Sequence, residues 1–267
     1  MKATIKNIRN IERTHYVMQL SGYFTELSDR PGIRFAYTDI FSDVWYNQAY
    51  DIIGPQSEFT QLIHDTEDYF KSKDRIPCFY TSPATDMDFI KQLTDNGYVE
   101  FEQESWMLFD TSSSDKPSNS KFSFSVVQGN FNDFSKVYRQ GLPGPEVELY
   151  ITAAINGHRF APGNLKVEYL LAYHENTPVG MLGLVLLPPV AGVYAIATIP
   201  EWQAKGVATL LNNSASNIAR SHHCTHLVLQ TVTGEDSEMK FEKMGYYTLF
   251  KRSGYAPADI VKEMTHG

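Results

Sequence analysis

Cysteine is nearly absent: Cys78 and Cys224 are the only two in 267 residues. Two thiols so far apart make neither a disulfide framework nor a Cys-rich zinc site, and they fit a reducing, cytoplasmic setting. No block of basic residues occurs either. Lys plus Arg number 23 against 31 Asp plus Glu, for a formal charge of −8 and a pI near 5.5. A nucleic-acid partner gripped through its phosphates is therefore not expected. Charges recur every few positions in MKATIKNIRNIERTH, so no signal-peptide core is expected there. One stretch, residues 176–200, lacks charge altogether and is long enough to cross a bilayer. Pro188-Pro189 in its middle, with Gly180, Gly183 and Gly192 around it, would break a spanning helix. Two buried strands joined by a Pro/Gly turn are expected instead, and no membrane partner. The histidines show no ligand spacing, so no metal is expected.

What is present is ordinary globular material, 42% apolar and 13% aromatic, enough for one large or two small domains. Residues 110–121 read DTSSSDKPSNSK, with five serines and no apolar side chain. Such a segment buries nothing and predicts a linker over 111–121, separating 1–110 from 122–267.

The second half alternates. Strands are predicted over 122–127, 167–173, 179–187, 193–199, 226–232 and 246–252. Helices are predicted over 131–139 and 146–156, from Gly206 onward, and over 237–244, the last ended by Gly245. In the first half, a helix is predicted within the first twenty residues, and another on the stripe Phe59, Leu62, Ile63, Thr66, Phe70. A third runs over 85–93, with Thr85 as its cap. Strands are predicted over 33–37, 44–53, 76–80 and 98–109. Both halves end as strand, helix, Gly-Tyr, strand (Gly97-Tyr98 and Gly245-Tyr246), which suggests a diverged duplication.

The segment with chemical content is Ala197-Thr198-Ile199-Pro200-Glu201-Trp202-Gln203-Ala204-Lys205-Gly206-Val207-Ala208. An apolar strand ends, a short loop follows, and an amphipathic helix begins at a glycine. Free N–H groups and partial positive charge at a helix start suit a pyrophosphate, and Gly206 lets backbone approach it. This is neither a Walker loop nor a Gly-x-Gly-x-x-Gly fingerprint.

On Ala197-Thr198-Ile199-Pro200, Gln203-x-x-Gly206-x-Ala208 and Phe241-Glu242-Lys243-Met244-Gly245-Tyr246, residues 122–255 resemble the GNAT superfamily of acyl-CoA-dependent N-acyltransferases. The order of elements is similar too. The resemblance implies an α/β fold, a mixed sheet flanked by helices, in tandem GNAT-like domains of which the first is degenerate. That first half lacks the phosphate loop, since its matching joint reads Ile52-Ile53-Gly54-Pro55-Gln56-Ser57. The resemblance further implies acetyl-CoA as co-substrate, its pyrophosphate held by the amides of Gln203, Ala204, Lys205, Gly206, Val207 and Ala208, with Thr209 following. Pantetheine would pair with Ile196, Ala197 and Thr198 of a strand splayed at a bulge. Phe241 would pack against the cofactor.

The implied function is transfer of an acetyl group to a primary amine of a small molecule or protein, by a monomer or homodimer. The alternative is a non-catalytic acyl-CoA-binding or sensor module on the same fold. Aminoacyl transfer by tandem GNAT-like domains is a third reading, and an intact coenzyme A loop argues against a charged-tRNA donor.

Catalysis would need a backbone N–H near Thr198 to polarise the thioester, and a base. Glu168, a charge on an apolar strand, is one candidate base and otherwise a solvent-facing position. The family often has Tyr four residues before the glycine of the last helix, where this chain has Phe241, which has no proton to give. Tyr246, Tyr247 or Tyr255 could replace it as acid. Glu146 and Glu148, after Gly144-Pro145, suit a helix start or an acidic lip that recruits a cationic amine.

Overall fold

The computed structural model describes residues 1–113 and 121–266. The expected linker, 111–121, lies largely outside the described residues; Thr111–Ser113 form a single 3-10 turn.

The first half begins with α1 (Ile5–Gln19), opened by Thr4, whose side chain accepts from the Asn7 N–H at 3.2 Å. Then come β1 (Glu26–Arg30), β2 (Ile33–Tyr37), β3 (Gln48–Tyr50), α2 (Phe59–Lys71), β4 (Cys78–Thr81), α3 (Met87–Asp95) and β5 (Tyr98–Asp110). The strand expected over 44–53 is shorter. Val44–Tyr46 is a 3-10 turn, because the Asn47 side-chain amide donates to the Asp43 carbonyl at 2.9 Å and curls the chain. Asp86, not Thr85, caps α3: its carboxylate accepts from the Asp88 N–H, while the Thr85 hydroxyl accepts from the Ser82 N–H. Strand β1 was not foreseen. Its Glu-Leu-Ser-Asp-Arg is a half-exposed sheet edge with no apolar alternation.

The second half runs β6 (Ser123–Val126), α4 (Asn132–Gly141), α5 (Val147–Phe160), β7 (Lys166–His174), β8 (Thr177–Leu187), β9 (Val190–Thr198), α6 (Val207–Ser221), β10 (His226–Val232), α7 (Asp236–Met244), β11 (Tyr247–Pro257) and α8 (Ala258–His266). The uncharged stretch 176–200 is the β8–β9 hairpin, turned at Pro188-Pro189. Among the described residues no helix is long and apolar enough to cross a membrane.

Among the described residues, eleven strands form one mixed sheet, in the order β1-β2-β3-β4-β11-β5-β10-β9-β8-β7-β6. The pairs β3–β4 and β9–β10 are parallel and the rest antiparallel. Each half lends the other a strand. Strand β11 lies between β4 and β5, and β5 lies between β10 and β11. The series β3–α2–β4–α3–β5 therefore repeats as β9–α6–β10–α7–β11.

Where the two lent strands touch, Arg252 of β11 is 2% exposed. It meets Glu104 of β5 at 2.8 Å and donates to the Tyr16 hydroxyl at 2.6 Å. Its guanidinium also lies over the rings of Tyr80 (4.0 Å) and Trp106 (4.7 Å).

Candidate functional site

The site begins with an irregularity in β9. Met181 of β8 faces Ala197 and Gly183 faces Tyr194, so Ala195 and Ile196 together oppose Leu182. This is a β-bulge, with Ala195 at φ 48. On its other side β9 pairs with β10 only through Val190, Ala191 and Gly192. Beyond Gly192 the two parallel strands splay. The β9 backbone thus leaves the ladder with β10 just where the bulge re-aims it.

After β9, Pro200–Trp202 make a 3-10 turn and Gly206, at φ 93, caps α6. That left-handed conformation suits glycine, and no Cβ stands over the helix start. The first intrahelical bond runs from Leu210 N to Gly206 O at 3.0 Å. The amides of Val207, Ala208 and Thr209 therefore lie at the unpaired, positive end of a fifteen-residue helix.

Between this helix start, the end of β9 and α7 lies a cavity of about 650 Å³. Ile196, Ala197, Thr198, Gln203, Ala204, Gly206, Val207, Ala208, Thr209 and Phe241, all marked in the sequence, line it together. Lys205 is turned onto the Trp202 ring, 4.7 Å from its centroid. Gly141 is in the lining as well: a Cβ there would meet the Ala197 Cβ at 2.8 Å, so only glycine lets the end of α4 rest on β9. Lys240 and Lys243 of α7, not marked in the sequence, also line the cavity. Their spacing, three apart on a short helix, was the available signal.

Two expected catalytic side chains lie elsewhere. Tyr246 is only 4% exposed, and its hydroxyl donates to Asn212 Oδ1 at 2.7 Å in the core beneath α6. Burial raises its pKa further. Glu168 sits on β7, two strands from β9, where it pairs with the Lys166 ammonium at 2.8 Å. Neither lines the cavity. Of the substitutes, the Tyr247 hydroxyl accepts from the N-terminal ammonium, and Tyr255 packs in the first half's core. Thr198 does line the cavity, and its carbonyl accepts from the Gln203 side chain at 3.3 Å. Glu148 pairs with Arg139 at the surface, whereas Glu146 lines a different cavity.

The splay also brings in a residue from the first half. His15 of α1 places Nδ1 3.1 Å from the Tyr194 hydroxyl on β9 and 3.0 Å from the Gln230 amide on β10. One imidazole thus bridges both arms at the point where they part. Burial, helped by the Arg252 charge, pushes its pKa well down and keeps it neutral. No local pattern marks His15, since its partners are 179 and 215 positions away. Among the described residues, no group of three or more His, Cys, Asp or Glu is placed to hold a metal ion.

Residues 132–246 match the family model described as Acetyltransferase (GNAT) family. Several solved structures share the fold over most of the chain. A GCN5-related N-acetyltransferase from Kribbella flavida aligns at a TM-score of 0.69 and 12% identity, covering 91% of this chain and 94% of that one. A functionally unknown conserved protein from Staphylococcus epidermidis aligns at 0.65 and 11%, covering 87% and 94%. A tandem GNAT protein from the clavulanic acid biosynthesis pathway aligns at 0.63 and 12%, covering 84% and 77%. At such identities the likeness is one of fold. No curated protein matches the sequence.

Proposed function

We propose that this chain, which carries a GNAT-family domain over residues 132–246, is an acyl-CoA-dependent N-acetyltransferase acting on a primary amine. One observation carries the reading: the bulged, splayed end of β9 and the Gly206-capped start of α6 open into the same cavity. A long ligand with an extended amide-bearing arm and a pyrophosphate needs both features, side by side.

The residues fit such a ligand. The freed β9 backbone at Ile196–Thr198 offers hydrogen-bonding groups to an extended arm, in the manner of an added strand. The amides of Val207, Ala208 and Thr209 and the loop from Gln203 to Gly206 would face the phosphates. Lys240 and Lys243 add positive charge at the rim, and Phe241 gives the cavity an apolar face. Acetyl-CoA supplies the activated acyl carbon. The chain's part is to hold that carbon at the splay and to exclude water from it.

The acceptor ammonium would first give up one proton to solvent; the free amine nitrogen would then form the C–N bond as the C–S bond breaks, and its second proton would also leave to solvent. Phe241 has no proton to offer the departing sulfur, and Tyr246 is locked to Asn212. The coenzyme A thiolate therefore departs without a side-chain acid from either position.

The test is release of coenzyme A thiol from acetyl-CoA in the presence of a primary-amine panel. Amine-dependent release, lost in Gly206→Glu, supports transfer. Phe241 and the buried Tyr246 favour a second reading, a non-catalytic acyl-CoA-binding module. Tight acetyl-CoA binding with no thiol release across the panel would select it.

A further inference from the structure

We infer that the acceptor is a small primary ammonium on an apolar stem, held in a tyrosine-walled cleft that both halves build behind the α4–α5 connection. This rests on the acetyl-transfer reading above and specifies its second substrate.

The cleft has a volume of about 450 Å³. At roughly 30 Å³ per water, that is room for about fifteen waters, the scale of a small organic molecule. Tyr23 and Tyr46 come from the first half, Tyr138 from α4 and Tyr150 from α5. The rings are held in place. Phe41, fully buried, stacks on Tyr46 at 4.4 Å and on Tyr150 at 4.7 Å. The Tyr46 hydroxyl donates to that of Tyr150 at 3.0 Å. Fixed aromatic faces around a partly desolvated space attract a cation and pack an apolar body.

The charge in the lining has the matching sign. Glu146 lines the cleft from the second half. Burial, and the Asp43 carboxylate of the first half beside it, hold its carboxyl above the usual range. Among the described residues neither forms an ion pair. Glu146 and Asp43 also share a side-chain hydrogen bond, and a cation arriving beside this acid pair favours its ionised form. Glu148, two residues on, is already committed to Arg139 at 2.8 Å.

The cleft also has the right position. Gly141 lines the acyl-CoA cavity, whereas Leu142 to Glu146 line the cleft, so one short connection separates the two. At the inner end, the Tyr23 ring is 5.9 Å from that of Tyr194, which immediately precedes the β9 bulge. A molecule among the tyrosines, with Glu146 in the same lining, therefore lies beside the residues of β9 that the acyl donor would use.

The experiment uses the full chain with phenethylamine and hexylamine, the matching alcohols, phenethyl-trimethylammonium and a lysine-containing peptide. The trimethylammonium compound cannot be acetylated, so calorimetry reads its binding without turnover. We expect it to bind and to inhibit competitively against amine but not against acetyl-CoA. The alcohols should do neither. Glu146→Lys, a partly exposed change, and Tyr46→Leu should each raise the amine KM about tenfold or more, each tenfold equalling about 1.4 kcal/mol. Acetyl-CoA affinity should stay unchanged in both.

The inference is overturned if the alcohols bind as well as the trimethylammonium compound. Unchanged amine KM in both variants overturns it too, as does transfer confined to the peptide lysine. Trimethylammonium binding that both variants weaken, without thiol release from any amine, sinks the acetyl-transfer reading and leaves the cation site standing.

Discussion

The Arg252 guanidinium lies 2.8 Å from the Glu104 carboxylate, joining β11 to β5 where each half lends a strand to the other. Arg252 is the cation of a buried acidic cluster, with Glu12 Oε1 3.9 Å from its Nη1. Removing it strands carboxylates in the core. Arg252→Met should therefore lower unfolding stability by about 3–5 kcal/mol. Urea titration of the full chain reads this, and a loss below about 1 kcal/mol would mean that the exchange is not held there.

Glu12 gives a pH signature. Burial is the larger effect and raises its pKa to about 7 from 4.5, against the pull of Arg252. The folded state then binds this proton more tightly than the unfolded chain does. Its contribution is full below pH 4.5 and is lost as pH rises toward about 7. His15 runs the other way: its pKa is lowered, so its contribution is lost as pH falls below 6.5. Glu12→Gln isolates the first effect. Relative to the parent, the variant should gain stability at pH 8 compared with pH 5, measured by urea unfolding at both. An equal difference at the two pH values would contradict the assignment.

Gly206 sits at φ 93, where a side chain is strained. Gly206→Ala should cost about 1–3 kcal/mol of stability. It should weaken acetyl-CoA binding as well, because the α6 amides shift. Thermal melts with and without acetyl-CoA check both, and an unchanged ligand-induced shift would count against the loop as a phosphate site.

Tyr246→Phe separates structure from catalysis. Its hydroxyl serves buried Asn212, so the change should cost about 1–3 kcal/mol of stability by leaving that acceptor unmet. Thiol-release kcat in the properly folded fraction should not move. A fall of tenfold or more would restore Tyr246 as the acid.

The strand, loop and helix from Ala197 to Ala208 were legible because their signals are local: an apolar run, a proline, a glycine and an amphipathic stripe. The residues marked there converge on one cavity, Lys205 excepted, which turns onto Trp202. Strand exchange was not legible, since nothing within Tyr247–Pro257 says that its neighbours are β4 and β5. The same holds for His15 at the splay and for a cleft assembled from residues 23, 46, 138 and 150. Each looked like an ordinary core or surface position in its own segment. Glu168 and Tyr246 misled for the opposite reason. Their residue types suit catalysis, but strand register and packing point them to Lys166 and Asn212.

In the proposed function, the splayed end of β9 and the start of α6 hold acyl-CoA. Amide hydrogen exchange of the full chain, with and without acetyl-CoA, tests it most directly. Slowed exchange is expected at Ile196–Thr198 and across 203–209, with the matching joint of the first half, residues 51–57, unchanged. Binding without protection at 196–209, or protection at 51–57 instead, would contradict it.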